Sequence, residues 1–171
     1  CINLDAHLDL RTVTPTITSG SPFFLALENA VLEGPHLVEF GIQTHCNAPD
    51  RVDYARSKGV EIHWLNRLKK ADLISTFEQC LKNLEKRCDA IVISWDLDCV
   101  PESQAPGVSA PQCEGIFSRE IIEILEICGR SEKVVSLGVF ELNPAVDFGN
   151  QTARLAATGV YHFLEAALSQ Y

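Results

Sequence analysis

The sequence contains no methionine, only two tryptophans, and few cations: 14 lysines and arginines against 23 aspartates and glutamates. The resulting formal charge of −9 excludes a duplex-binding footprint, because displacing phosphate counterions takes clustered Lys and Arg. Nucleic acid is not an expected partner. Long apolar runs are also missing; none approaches the ~20 residues that cross a bilayer, and the first residues lack the basic-then-apolar plan of a signal peptide. No membrane association is expected. Cysteines occur at 1, 46, 80, 88, 99, 113 and 128, an odd number with no Cys-x-x-Cys pair and no regular spacing. That pattern predicts reduced thiols and a cytoplasmic location rather than a disulfide framework. Internal repeats and linkers are absent too. What remains is an ordinary globular composition, 171 residues with 46% hydrophobic and 22% charged, enough to bury most of its apolar surface in one core. A single domain, 1–171, is the expectation.

Short Val/Ile-rich runs alternate with stretches of helical period, which predicts successive β-α units in a mostly parallel sheet. Strands are expected at 1–5, 37–42, 60–64, 90–95 and 134–140. The fourth, Ala90 to Trp95, has the continuous apolar character of a strand covered on both faces. Helices are expected at about 71–87, where Leu73, Ile74, Phe77, Leu81 and Leu84 share one face; at 119–128, with Ser118 as N-cap and Gly129 as terminator; and at 150–169, carrying Leu155, Ala156, Val160, Phe163, Leu164 and Ala167. Two irregular loops, 12–22 and 99–115, follow acidic strand ends, where open α/β sheets place their ligands.

The chemistry-bearing residues gather at those strand ends. In Asp5-Ala6-His7-Leu8-Asp9 the alternation of an extended backbone puts Asp5, His7 and Asp9 on one side. Asp96-Leu97-Asp98 repeats the spacing at the end of the most hydrophobic strand. Each motif alone is more often a turn or helix cap, but four carboxylates at one sheet edge repel or take up protons unless cations neutralise them. A pair of divalent metals solves that problem, and oxygen donors with one imidazole suit Mn²⁺ above Zn²⁺. Glu141 closes the last strand; on composition alone it reads as a turn cap before Pro144. His36, His45, His63 and His162 stand singly and read as surface or packed residues, with His45 a distant candidate for substrate contact.

Three segments in this order, Asn3-Leu4-Asp5-Ala6-His7-Leu8-Asp9, Ser94-Trp95-Asp96-Leu97-Asp98 and Glu141-Leu142-Asn143-Pro144, resemble the ureohydrolase superfamily of arginase, agmatinase and formimidoylglutamase. Within it the chain is most similar to formimidoylglutamase, through Asp9-Leu10-Arg11, Ser19-Gly20-Ser21-Pro22-Phe23, Ala105 to Pro111 and Thr152 to Ala157. The resemblance implies a three-layer α-β-α fold with a mostly parallel, arginase-like sheet. It implies two Mn²⁺ per active site held by Asp5, His7, Asp9, Asp96 and Asp98, activating water for attack on an sp² carbon bonded to nitrogen. Asp98 and Glu141 become the catalytic candidates, Glu141 holding the cationic nitrogen end of the substrate. Arg11 and the Ser19, Gly20, Ser21 loop become candidates for gripping carboxylates. Formimidoylglutamate would be cut to glutamate and formamide, a step of histidine breakdown, in a homotrimer or hexamer.

The pattern also departs from the family. An upstream Gly-Gly-x-His segment carrying a further histidine ligand has no counterpart, so one ligand is expected to be missing and the chain is expected to be the C-terminal portion of a longer one. Ser19 stands where arginase and agmatinase carry a histidine, and Gly138 where an acid is common. The competing expectations are a guanidine hydrolase of agmatinase, guanidinobutyrase or arginase type, releasing urea, and a non-catalytic truncated homologue retained for assembly or binding.

Overall fold

The computed structural model describes residues 1–13 and 15–169; Thr14, within the expected 12–22 loop, and residues 170–171 lie outside the described residues. Five strands form one parallel sheet: β1 (Ile2–Leu4), β2 (Val38–Ile42), β3 (Glu61–Trp64), β4 (Ile91–Asp96) and β5 (Val134–Phe140). The strand order is β3-β2-β1-β4-β5, so the first strand of the chain is the middle of the sheet. The helices are α1 (Pro22–Glu28), α2 (Pro49–Lys58), α3 (Leu65–Leu68), α4 (Leu73–Glu85), α5 (Ser118–Gly129) and α6 (Gln151–Leu168). This is the parallel α/β architecture that alternating apolar runs and helical periods predict.

Alternation along the strands sorts side chains into two layers. Ile2, Leu4, Val38, Phe40, Ile91, Ile93 and Trp95 pack with Phe77, Leu81 and Leu84 of α4 and Ile121, Ile124 and Leu125 of α5. On the opposite face Leu37 and Ile42 pack with Leu8, Leu10, Leu27 of α1 and Ala55 of α2. Burying a side chain such as Phe40 or Phe77 contributes roughly 2–3 kcal/mol. Helix α2 offers little periodicity, since Ala55 is its one buried residue; Pro49 in its first turn and left-handed Gly59 at its end mark it instead.

Three expectations are corrected. Ser118 opens α5 from inside the helix, with Phe117 as N-cap: the Phe117 N–H donates to the Glu120 carboxylate at 2.8 Å and the Ser118 N–H to Gln104 Oε1 at 2.8 Å. Gly129 is the last residue of α5 rather than its terminator, and it is small because α6 crosses there; a Cβ would sit 2.3 Å from the Phe163 carbonyl oxygen. Helix α6 buries Thr152, Ala156, Gly159 and Ala166, while Leu164 is half exposed. Leu155 and Phe163 pack against the core from partly buried positions, and between them Gly159 lies against the Trp95 and Leu125 side chains.

A fourth correction concerns β4. Only one of its faces is fully covered: Ile91, Ile93 and Trp95 are buried, whereas Val92, on the other face, is 44% exposed. Parallel sheets normally bury both faces, but α1 and α2 pack over the other half of the sheet. The second face of β4 and β5, with Ser94, Ser136, Gly138 and Phe140, instead forms a wall of a cavity that also takes in Asp5 and Asp98.

Candidate metal centre

Strand order reverses at β1: the chain moves outward to β2 and β3, then returns to place β4 on the other side. The crevice beyond the carboxyl ends of β1 and β4 is therefore a topological switch point, where open α/β sheets bind ligands. Asp5 follows β1 directly, and Asp96 ends β4.

The two motifs converge by turns rather than by extended alternation, because β1 stops at Leu4. Asp5 Oδ1 accepts the His7 backbone N–H at 2.6 Å, and Asp96 Oδ1 accepts the Asp98 backbone N–H at 2.9 Å. Each Asp thus bends the chain back on itself through its own side chain and presents the residue two positions on. The bends interlock: Asp98 Oδ1 accepts the Ala6 N–H at 3.3 Å, and Asp98 Oδ2 lies 2.9 Å from His7 Nδ1. Asp5 Oδ1 is 3.4 Å from the same nitrogen. Asp9 is turned inward by a left-handed backbone, φ 50°, and Glu141 after β5 has φ 69°. Non-glycine residues rarely adopt such angles, which concentrate at functional sites.

Residues outside the expected site set hold this loop. Asn47 accepts the Leu8 N–H at 2.9 Å and donates to the carbonyls of Ala6 and Gln43 at 3.0 and 2.8 Å. Asn3 donates to Asp5 Oδ2 at 3.1 Å and to Glu39 Oε2 at 2.9 Å. Glu39 is fully buried, and its Oε1 has no hydrogen-bond partner among the described residues. Their pairing depends on the β1–β2 register, which sets Asn3 opposite Glu39.

Electrostatics follow from burying acids together. Burial, reinforced by the Asp98 and Asp9 charges, pushes Asp5 up to about 7, although its hydrogen bond to His7 opposes the rise. Burial with the Asp5 and Asp98 charges pushes Asp96 up to about 9. Asp9 rises to about 6, mainly by burial. His7 moves up to about 11, because its imidazolium is bound first by Asp5 and then by Asp98. Three acids whose pKa values are all raised, around one imidazolium held by carboxylates, form a site short of positive charge.

Asp5, His7 and Asp98 each offer a donor atom, all within 4.8 Å of one another. Oxygen-rich with one imidazole, this set fits a hard divalent ion of the Mn²⁺ type. Asp9 and Asp96 line the same cavity, of about 720 Å³, together with Arg11, Ser19, Gly20 and Glu141. The Ser109 N–H donates to Glu141 Oε2 at 3.3 Å, and the Ser109 hydroxyl donates to that same oxygen. Gly20 leaves room for Arg11, whose Cδ would lie 2.7 Å from an added Cβ, and its carbonyl accepts the Arg11 N–H at 2.7 Å. Ser21 departs from the expected grouping: it is fully buried, its hydroxyl lies 3.0 Å from that of Thr18, and it is not in the cavity lining. The cavity lining also omits His45, which bonds Gln112 at 3.2 Å.

Comparison with known proteins places this geometry in context. The Arginase family model matches residues 1–165. The chain is 32% identical over 165 residues to the formimidoylglutamase of Bacillus subtilis (strain 168), covering 96% of this chain and 52% of that protein. The crystal structure of formimidoylglutamase from that organism superposes with a TM-score of 0.94 at 31% identity, covering 96% of this chain and 52% of its own. The Trypanosoma cruzi formiminoglutamase structure with Mn²⁺ superposes with a TM-score of 0.90 at 28% identity, over 96% and 55%. The chain spans about half the length of the curated relatives it matches. Among the described residues no helix is long and apolar enough to cross a membrane.

Proposed function

The chain belongs to the arginase (ureohydrolase) family, and on that premise we propose that it carries the metal-binding half of a hydrolase that cleaves a C–N bond of a linear amidine. The substrate best supported is formimidoylglutamate, hydrolysed with one water to glutamate and formamide. The carrying observation is the meeting of Asp5, His7 and Asp98 donor atoms at the switch point, with Asp9, Asp96 and Glu141 in the same cavity.

Asp5, His7, Asp9, Asp96 and Asp98 would hold two Mn²⁺, one of them short of a ligand within this chain. When bound, the metals supply an activated water and electrostatic stabilisation of developing negative charge. The protein's own groups do the rest. Glu141 is held by Ser109 at the cavity wall, where a carboxylate accepts hydrogen bonds from an amidinium and orients its carbon. Arg11, exposed and lining the cavity beside Gly20, suits a substrate carboxylate, with Ser19 as a neutral partner. The asparagine and glutamate behind Asp5 keep that ligand oriented, as outer hydrogen bonds to metal ligands do. Assembly as a trimer or hexamer accords with the family resemblance.

The test combines Mn²⁺ calorimetry with product analysis on the protein and on any longer native form. Mn²⁺ uptake with formamide release from formimidoylglutamate supports the reading. Urea release from a guanidine substrate would move the activity to the guanidine hydrolases of the family, and failure of both forms to take up Mn²⁺ would remove the enzyme reading altogether.

A further inference from the structure

A second group of ligand-type side chains lies away from the acid cluster, where edge strand β3 meets α4. Glu61 and His63, two apart on β3, point to the same face of the sheet, and Cys80 approaches them from α4. His63 Nε2 lies 2.8 Å from Glu61 Oε1 and 3.1 Å from Cys80 Sγ, and Sγ lies 3.8 Å from Glu61 Oε1. We propose that Glu61, His63 and Cys80 form a second divalent-metal site, of zinc rather than manganese type, that clips the edge strand to helix α4.

The geometry carries this in three ways. A point equidistant from the three donor atoms lies about 1.9 Å from each, close to the ~2.0–2.3 Å of zinc bonds to oxygen, nitrogen and sulfur. An ion slightly out of the donor plane therefore reaches all three with only small side-chain adjustments. The donors are also pre-positioned. His63 packs against the Phe40 ring with centroids 5.4 Å apart, Cys80 is buried, and Arg87, at 3.9 Å, approaches the other oxygen of Glu61. Finally, the group borders an open depression of about 370 Å³, lined also by Asp72, Ser75, Thr76, Gln79 and Asn83, which leaves room for water as the fourth ligand.

Donor chemistry separates the two sites. A thiol and an imidazole with one carboxylate favour zinc-type ions, whereas the oxygen-rich group around Asp5 favours manganese. Binding replaces the S–H bond of Cys80 by an S–metal bond and releases its proton to the buffer, while His63 carries its remaining proton on Nδ1 and gives the Nε2 lone pair to the ion.

Cobalt reports the site directly. Mn²⁺ is first added to saturate the acid cluster, and Co²⁺ is then titrated while the near-ultraviolet sulfur-to-cobalt charge-transfer band is followed. The expected result is a saturable band that Zn²⁺ bleaches, that Cys80→Ser abolishes and that Asp98→Asn leaves in place. Because Cys80 is buried, His63→Gln is measured in parallel; it keeps the thiol and should weaken Co²⁺ binding by at least about tenfold. Absence of the band in the unmodified protein, its persistence in Cys80→Ser, or unchanged affinity in His63→Gln would each overturn the proposal. None of these outcomes depends on amidine hydrolysis.

Discussion

Removing metal should invert the pH dependence of this protein's stability. Asp5, Asp9 and Asp96 bind their protons more tightly in the folded chain than free carboxylates do, and His7 holds its proton more tightly than free imidazole. Groups whose folded pKa is raised contribute stability that is fully present below the unfolded pKa and lost as pH rises towards the folded one. All four shifts therefore act in one direction. The acids erode stability from about pH 4 upward, and His7 adds to the loss above about pH 6.5. Counting a single proton retained by the folded chain between pH 5 and pH 7 gives a loss of about 2.7 kcal/mol. For a chain of this size that is a fall of roughly 5–11 °C in Tm. With Mn²⁺ the sign reverses, because coordination needs deprotonated donors and the affinity rises with pH; at a hundred times Kd the ion adds about 2.7 kcal/mol. The assay is thermal or urea unfolding followed by tryptophan fluorescence, in which fully buried Trp95 is a sensitive reporter, at pH 5, 6 and 7 in EDTA and in Mn²⁺. A metal-free protein that grows more stable from pH 5 to pH 7 would refute the account of buried acids lacking a cation.

Three further outcomes follow from the same structure. Asp98→Asn removes the charge that faces His7 at 2.9 Å while an amide oxygen can still accept the Ala6 N–H; Mn²⁺ affinity measured by calorimetry should fall at least about a hundredfold with the circular dichroism of the folded chain retained. Ser109→Ala removes the hydroxyl bond to Glu141 and leaves only the backbone N–H to hold it; kcat/KM for an amidine substrate should drop about tenfold or more while Mn²⁺ affinity stays constant, and a parallel loss of metal would contradict the assigned role. Gly159→Val places a side chain where a Cβ already lies 2.6 Å from Trp95 and 2.7 Å from Leu125, so overpacking should cost about 1–3 kcal/mol in urea melts.

The strands illustrate how far local pattern reaches. Each of the five expected runs contains the observed strand to within a residue at its ends, because a short run carrying apolar side chains between turn residues is a local signal of a strand. Helix α4 was equally legible from its apolar stripe. Helix α1, by contrast, starts at Pro22 inside a segment that reads as loop, and α2 presents almost no apolar stripe. Their stability comes from packing on the sheet rather than from their own periodicity. Ser118 and Gly129 show the same limit, since the cap and the close approach at these positions were decided by Glu120, Gln104 and Phe163.

The sequence by itself determined the donor types, their spacing and the strand ends that carry them, since the ligand-type residues lie two apart within single segments. Only the tertiary structure decided that β1 sits in the centre and β4 beside it, which turns two motifs 91 residues apart into one group whose donor atoms lie within 4.8 Å. It decided that Asp5 and Asp96 bend their own backbones to aim His7 and Asp98. The buried Asn3–Glu39 pair, the Asn47 clamp and the seclusion of Ser21 likewise depend on contacts between residues distant in the chain or on packing around them. The physical reason is one of range. Side-chain period and hydrogen-bonding character are properties of a few successive residues, whereas burial, register and mutual charge exist only after distant segments meet.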